Sequence, residues 1–156
     1  MIVSIASGKG GTGKTTVATN LAQSVGTDVQ LLDCDVEEPN AHLFINPTFE
    51  KGETVFLPVP EVDEDRCTYC GKCAQICQFK AIAVVAQNIL IFDELCHSCG
   101  GCWEVCPEGA VRQGRRELGV IQMGRSNGIE FIHGRLRVGE AMSPPLIKKV
   151  RAYQDS

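Results

Sequence analysis

The run Gly8-Lys9-Gly10-Gly11-Thr12-Gly13-Lys14-Thr15-Thr16 constrains this chain more than any other stretch. It follows the apolar segment Ile2-Val3-Ser4-Ile5-Ala6 and precedes Val17-Ala18-Thr19-Asn20-Leu21-Ala22-Gln23, which reads as a helix. Strand, glycine-rich loop and helix in that order form the setting in which a glycine, four further residues and then Gly-Lys-Thr become a phosphate site. Glycines let the backbone curl so that successive N–H groups face phosphate oxygens, and the helix N-terminus adds partial positive charge. Lys14 would reach the β- and γ-phosphates, and the Thr15 hydroxyl would sit on Mg²⁺. The competing reading is a glycine-rich turn with an incidental lysine.

After that helix, Val29-Gln30-Leu31-Leu32 reads as a buried strand that delivers Asp33-Cys34-Asp35 to its C-terminal end. Ligands bind at such strand ends in open α/β sheets. Two carboxylates there can serve Mg²⁺ or an attacking water, or can simply cap a loop. Cys34 between them reads as a small hydrophobe. Val55-Phe56-Leu57-Pro58-Val59-Pro60 reads as a short strand broken by prolines and marks a boundary.

Beyond that boundary the chemistry changes. Cys67-x-x-Cys70-x-x-Cys73-x-x-x-Cys77 recurs as Cys96-x-x-Cys99-x-x-Cys102-x-x-x-Cys106-Pro107. The copies also match Gly71 with Gly100, Ile76 with Val105, Ala81 with Ala110 and Ile82 with Val111, so the segment is an internal duplication. This is the spacing of bacterial ferredoxins, in which three cysteines wrap one 4Fe–4S cluster and the fourth ligates the other. It assigns Cys67, Cys70, Cys73 and Cys106 to one cluster, and Cys96, Cys99, Cys102 and Cys77 to the second. Zinc is the alternative, but zinc sites pair two CxxC units across a longer gap. Gln78 stands where the second copy has Pro107. Trp103 and Tyr69, beside cysteines, suit either cluster cover or ordinary packing; His97 reads as a spacer, and His42 and His133 as structural. Ala81–Val85 and Ile89–Phe92 read as paired strands around Ala86-Gln87-Asn88.

Nine cysteines in 156 residues are far above background, and in a reducing compartment they read as metal ligands rather than disulfides. No apolar run approaches the roughly 20 residues needed to cross a membrane. The N-terminus lacks the basic and cleavable regions of a signal peptide. The expected location is the cytoplasm. The net charge of −4 hides an uneven split: acids lead from Glu61 to Glu108 and bases lead from Arg112 onward. Without aromatic platforms or a binding module, the basic segment reads as a solvated face, or one docked on acids, rather than as a nucleic-acid surface. Gly119–Met123 and Gly128–Gly134 read as a hairpin turned at Asn127-Gly128, and Pro144–Tyr153 as a terminal helix.

With Lys9 as an early second lysine, the loop resembles the deviant Walker A motif of the MinD/ParA/nitrogenase-iron-protein group of ATPases. The resemblance implies ATP as ligand and a nucleotide-sandwich homodimer, with Lys9 reaching across to the partner's nucleotide. Asp33-Cys34-Asp35-Val36-Glu37-Glu38-Pro39-Asn40 is similar to the family's switch segment. This implies that Asp35 orients the attacking water, that Asp33 supports metal and loop, and that Asn40 lies beside the nucleotide. Loop and duplicated cysteines together resemble the members of that superfamily that carry an inserted ferredoxin domain, including the stretch from Asn127 to Arg135. The expected fold is thus an α/β P-loop NTPase over 1–60 and 114–156 with an incomplete sheet, holding an inserted α+β ferredoxin-like domain over 61–113. The chain resembles the N-terminal half of such a protein, without the later Walker B or switch II element. Two functions follow as expectations. One is an ATP-binding iron–sulfur protein coupling nucleotide state to electron transfer toward a redox partner protein, with ATP hydrolysis once the missing half is supplied. The other is an electron carrier whose nucleotide site hydrolyses nothing. A DNA-partitioning ATPase is a third reading, carried only by the basic segment.

Overall fold

A computed structural model describes residues 1–154; Asp155 and Ser156, the end of the expected ATPase segment, lie outside the described residues. The chain divides into two compact units. Unit 1 comprises Met1–Val55, Gly119–Val138 and the segment from Ser143; unit 2 comprises Phe56–Leu118 and Gly139–Met142.

In unit 1, α1 (Lys14–Val25) leads into β1 (Val29–Asp33) and a short helix α2 (His42–Ile45). Two long strands cross the division in sequence: β2 (Thr48–Val62) at Val55/Phe56 and β5 (Val111–Ser126) at Leu118/Gly119. β6 (Ile129–Leu136) and α5 (Pro144–Arg151) follow. The sheet order is β1-β6-β5-β2. β1 runs parallel to β6, from Val29 opposite Ile129 to Asp33 opposite His133, and β5 and β6 form an antiparallel hairpin. Its two-residue turn is Asn127-Gly128 with φ of 48° and 83°, the pair of positive values that a tight hairpin turn requires. The core gathers Ala22, Ala41, Ile45, Ile129 and Phe131, with Val29 and Leu31 packed against them.

Two expectations need correcting. Ile2–Ala6 forms no strand: the segment is irregular, with Ile2 63% and Val3 55% exposed. A run apolar on both faces makes a stable strand only between two partners, and it has none among the described residues. The prolines at 58 and 60 do not break the strand either. β2 runs through both because it lies at the end of the sheet order, where a missing N–H disrupts no ladder on its free side.

Gly119 makes one of the tightest approaches in this unit, as Gly124 does against Thr48. A Cβ there would stand 2.3 Å from the Arg135 carbonyl oxygen and 3.0 Å from Leu146 Cδ2, a fully buried side chain of α5. Backbone cannot yield as a side-chain tip does, so Gly119→Ala should lower unfolding stability by about 2 kcal/mol or more, read from urea midpoints against the parent.

His133 is buried beside His42, their rings 5.4 Å apart, and Phe49 stacks on it at 5.2 Å. Its Nε2 pairs with Gln122 Oε1 at 3.1 Å, and its Nδ1 has no partner among the described residues. Burial, with the neighbouring charges of His42 and Arg135, pushes its pKa down from 6.5 to about 4. Between those values the unfolded chain takes up a proton that the folded chain refuses. Stability therefore rises with pH across the window and is lost as pH falls through it. The expected loss attributable to His133 is about 2 kcal/mol on going from pH 7 to pH 5. Urea melts at both pH values should show it, and His133→Gln should show a smaller pH difference than the parent.

In unit 2, α3 (Lys72–Ile76) and α4 (Gly101–Glu104) begin inside the two cysteine runs, and β3 (Ile82–Val85) pairs antiparallel with β4 (Asn88–Ile91). One core cluster holds Cys73, Ile82 and Val111, with Ile89, Cys102, Trp103 and Cys106 against it; a second holds Val59, Ala81 and Cys96. The basic segment is partly paired inside this unit, Arg112 with Asp63, while Arg66 Nη2 donates to the Glu108 carbonyl at 2.6 Å.

Candidate functional site

The first site is the glycine loop of unit 1. Gly11 and Gly13 take φ of 71° and 86°, values that a side chain would strain, and a Cβ at Gly8, Gly10, Gly11 or Gly13 would meet nothing within 4 Å. The loop is an open cradle. Gly13 caps α1 without any side-chain hydrogen bond, so the first N–H groups of a three-turn helix are left free for an anion. Inside the loop, Ser7 Oγ donates to the Lys9 carbonyl at 2.8 Å, and Thr12 Oγ1 donates to Ser7 Oγ at 2.7 Å. These bonds pin the turn while the Lys9 side chain stays exposed and that of Lys14 half-buried. Thr16 is exposed, and Thr19, fully buried, donates to the Thr15 carbonyl at 2.8 Å and anchors the helix start.

The acidic segment meets the loop at one point. Thr15 Oγ1 donates to Asn40 Oδ1 at 2.9 Å, which brings together two of the residues singled out from sequence. Asp33 is committed locally: its Oδ1 accepts from the Asp35 N–H and its Oδ2 from the Ala41 N–H, both at 3.1 Å. Burial raises its pKa, against the pull of those two amides. Asp33 thus shapes the turn that carries Asn40. Asp35 is exposed, and among the described residues no hydrogen bond or ion pair joins its carboxylate to Lys9 or Lys14. Cys34 is half-buried, and burial pushes its thiol up.

The second site is in unit 2. One hollow is lined by Cys67, Cys70, Cys73 and Cys106, with Tyr69 and Ile89 in its wall. The other is lined by Cys77, Cys96, Cys99 and Cys102, with Phe79, His97 and Trp103. Each hollow therefore gathers three cysteines of one run and the last cysteine of the other. Among the described residues no three His, Cys, Asp or Glu side chains close on a single ion; the thiols stand around a space.

The duplication extends to the backbone. Tyr69 and Ser98, two residues after the first cysteine of each run, adopt φ of 53° and 56° and donate their N–H to Cys67 Sγ and Cys96 Sγ, each at 3.4 Å. Ala81 and Ala110, four residues after the last cysteine, donate to Cys77 Sγ at 3.3 Å and Cys106 Sγ at 3.2 Å. Lys80 and Gly109 share positive φ at equivalent positions. N–H groups aimed at sulfur stabilise a thiolate. Burial alone would raise Cys106, yet the amides of Val111, Ala110, Glu108 and Gly109 pull it below its ordinary value. Burial pushes Cys102 up to about 11, and it raises Cys73 and Cys96 as well; at Cys96 the Ser98 amide and the Arg116 charge pull the other way.

Two features around the second cysteine run go beyond the sequence reading, in which His97 is a spacer and Arg116 has no role of its own. His97 stacks on Phe79 with ring centroids 3.6 Å apart and planes within 7°. Arg116 is buried and donates from Nη2 to the Cys96 carbonyl at 3.4 Å. Neither has a sequence signature beyond the proximity of His97 to Cys96.

An open glycine cradle at a helix start, in one unit with a mixed sheet that contains a parallel pair, is the apparatus of a nucleotide-binding domain. The family model "CobQ/CobB/MinD/ParA nucleotide binding domain" matches residues 3–138, and the chain belongs to that family. Two uncharacterized proteins of Methanocaldococcus jannaschii are similar over 98% of this chain, at 36% and 28% identity; the matched regions cover 54% and 56% of those proteins. The chain thus spans about half the length of these relatives. Ferredoxin-1 of Chlorobaculum tepidum is 34% identical over 56 residues, 32% of this chain and 90% of that protein. Among the described residues no helix is long and apolar enough to cross a membrane.

Proposed function

We propose that this protein binds Mg-ATP in the Gly8–Thr16 cradle and two 4Fe–4S clusters through its eight repeated cysteines, and that nucleotide state biases one-electron transfer through those clusters to a redox partner protein. The observation that carries the reading is the pair of four-cysteine hollows, each drawing its fourth thiol from the other run. Thiols spread around a space, with backbone N–H groups aimed at sulfur, suit a polynuclear cluster rather than a lone zinc ion. Similarity to a ferredoxin supports the same reading. Cys67, Cys70, Cys73 and Cys106 would hold one cluster, and Cys96, Cys99, Cys102 and Cys77 the other; bound there, each supplies a one-electron couple.

For the nucleotide, Lys14 and the free N–H groups of α1 hold the phosphates, Thr15 carries Mg²⁺, and Asn40 links that threonine to the segment ending β1. Lys9, exposed at the loop mouth, is available to a second copy of the chain, and Asp35 is the candidate for orienting water. The domain limits proposed from sequence, 1–60 with 114–156 around 61–113, are retained as the functional division, in a cytoplasmic protein.

A second reading, a nucleotide-binding electron carrier without hydrolysis, is favoured by one observation: both oxygens of Asp33 are occupied by backbone amides and Asp35 faces solvent. Phosphoryl transfer needs every positioning group assembled. Oxygen-protected, reconstituted protein assayed for ATP binding and for phosphate release separates the two. Binding with release supports the ATPase, binding without release supports the carrier, and no binding refutes both.

A further inference from the structure

Arg112 and Lys149 keep more than half of their side chains in solvent beside their acids, as ordinary surface ion pairs do. Arg116 and Glu140 do not. Their side chains are 6% and 0% exposed, with Nη1 and Oε2 2.9 Å apart. The pair is close but poorly aligned: Arg116 Nε and Glu140 Oε2 lack a hydrogen-bond partner among the described residues. Burying two ions costs several kcal/mol each, so such a pair seldom repays itself as a fold stabiliser. Arg116 Nη2 reaches the carbonyl of Cys96, itself buried. Glu140 comes from Gly139–Met142, four residues that belong to unit 2 although the chain before and after them belongs to unit 1; its Oε1 accepts from the Met142 N–H at 3.0 Å. Among the described residues no cationic side chain donates to the carbonyl of Cys67, the equivalent of Cys96 in the first run.

We propose that Arg116 and Glu140 form a buried electrostatic setting for the cluster on Cys96, Cys99, Cys102 and Cys77, holding its reduction potential apart from that of the cluster on Cys67, Cys70, Cys73 and Cys106. The inference rests on the two-cluster reading above. Reduction adds one negative charge to a cluster, and in a poorly solvated interior a nearby cation favours that state while an anion opposes it. The guanidinium donates to the Cys96 carbonyl through Nη2 and meets Glu140 through Nη1, so the cation is the member of the pair that contacts this cluster's cysteine run. Arg116 and Glu140 are positioning residues that touch no reacting atom.

The test is the pair of one-electron potentials of the reconstituted full chain, titrated by electron paramagnetic resonance, in the parent, in Glu140→Gln and in the double variant Arg116→Gln/Glu140→Gln. Glu140→Gln leaves the guanidinium unopposed and should raise one potential, increasing the reduced-to-oxidised ratio of that cluster about tenfold at fixed solution potential, 59 mV for a one-electron couple. The double variant holds no lone buried charge and should lower the same potential, since the cation nearer Cys96 is gone. In both variants the other potential should stay where it is. Potentials that do not move, or two that move together, overturn the inference while leaving the clusters standing. A parent chain reconstituted without iron and sulfide overturns the cluster reading and this inference with it.

Discussion

On the two-cluster proposal, Cys106→Ser is expected to destroy the cluster whose other ligands would be Cys67, Cys70 and Cys73, although Cys106 lies in the second run. Iron and sulfide per chain should fall by about half. The crossed assignment is exposed by adding a second substitution. In the Cys106→Ser background, Cys70→Ser should cost no further iron, because that cluster has already gone, whereas Cys99→Ser should remove nearly all that remains. If each run held its own cluster, the two double variants would exchange behaviour. The physical basis is the arrangement in which Cys106 shares a hollow with the first run and Cys77 with the second. Ligation is also folding energy for a domain this small, so thermal stability should fall alongside the iron content.

Lys14→Ala should weaken ATP binding by two orders of magnitude or more and leave the iron content unchanged. Each charge-assisted hydrogen bond to phosphate is worth about 1.5–3 kcal/mol, and loss of about 3 kcal/mol is roughly a hundredfold in Kd. Equilibrium binding of a labelled ATP measures it. Lys14 is the first residue of α1, half-buried and without an ion-pair partner among the described residues, so its removal costs the fold little. Affinity within a few-fold of the parent would mean that the cradle holds something other than a triphosphate.

Much of this molecule is legible in its sequence, for identifiable reasons. The glycine loop, α1, the Asn127-Gly128 hairpin and the helix opened by Pro144-Pro145 are local: each depends on backbone preferences that a few neighbouring residues dictate. The duplication is legible because both copies solve the same problem, down to Ala81 and Ala110, each almost completely buried. What local pattern could not settle was pairing. Ile2–Ala6 has the composition of an interior strand, yet a strand exists only through its neighbours. Pro58 and Pro60 look like strand breakers until β2 is placed at the end of the sheet order. The positive φ values of Tyr69, Lys80 and Ser98 could not be read from side chains that ordinarily avoid that region. Nor does anything distinguish Arg116 from the exposed arginines around it until Glu140, far along the chain, is found at its side.

The account stands or falls on nucleotide and clusters sharing one working protein. Its most direct test is an electron paramagnetic resonance spectrum of the reduced, oxygen-protected chain, recorded with and without Mg-ATP. The expected result is two reduced 4Fe–4S signals whose shape or potential changes when nucleotide is added, with the change absent in Lys14→Ala. Two signals wholly indifferent to saturating Mg-ATP, or a protein loaded with zinc and silent on reduction, would contradict it.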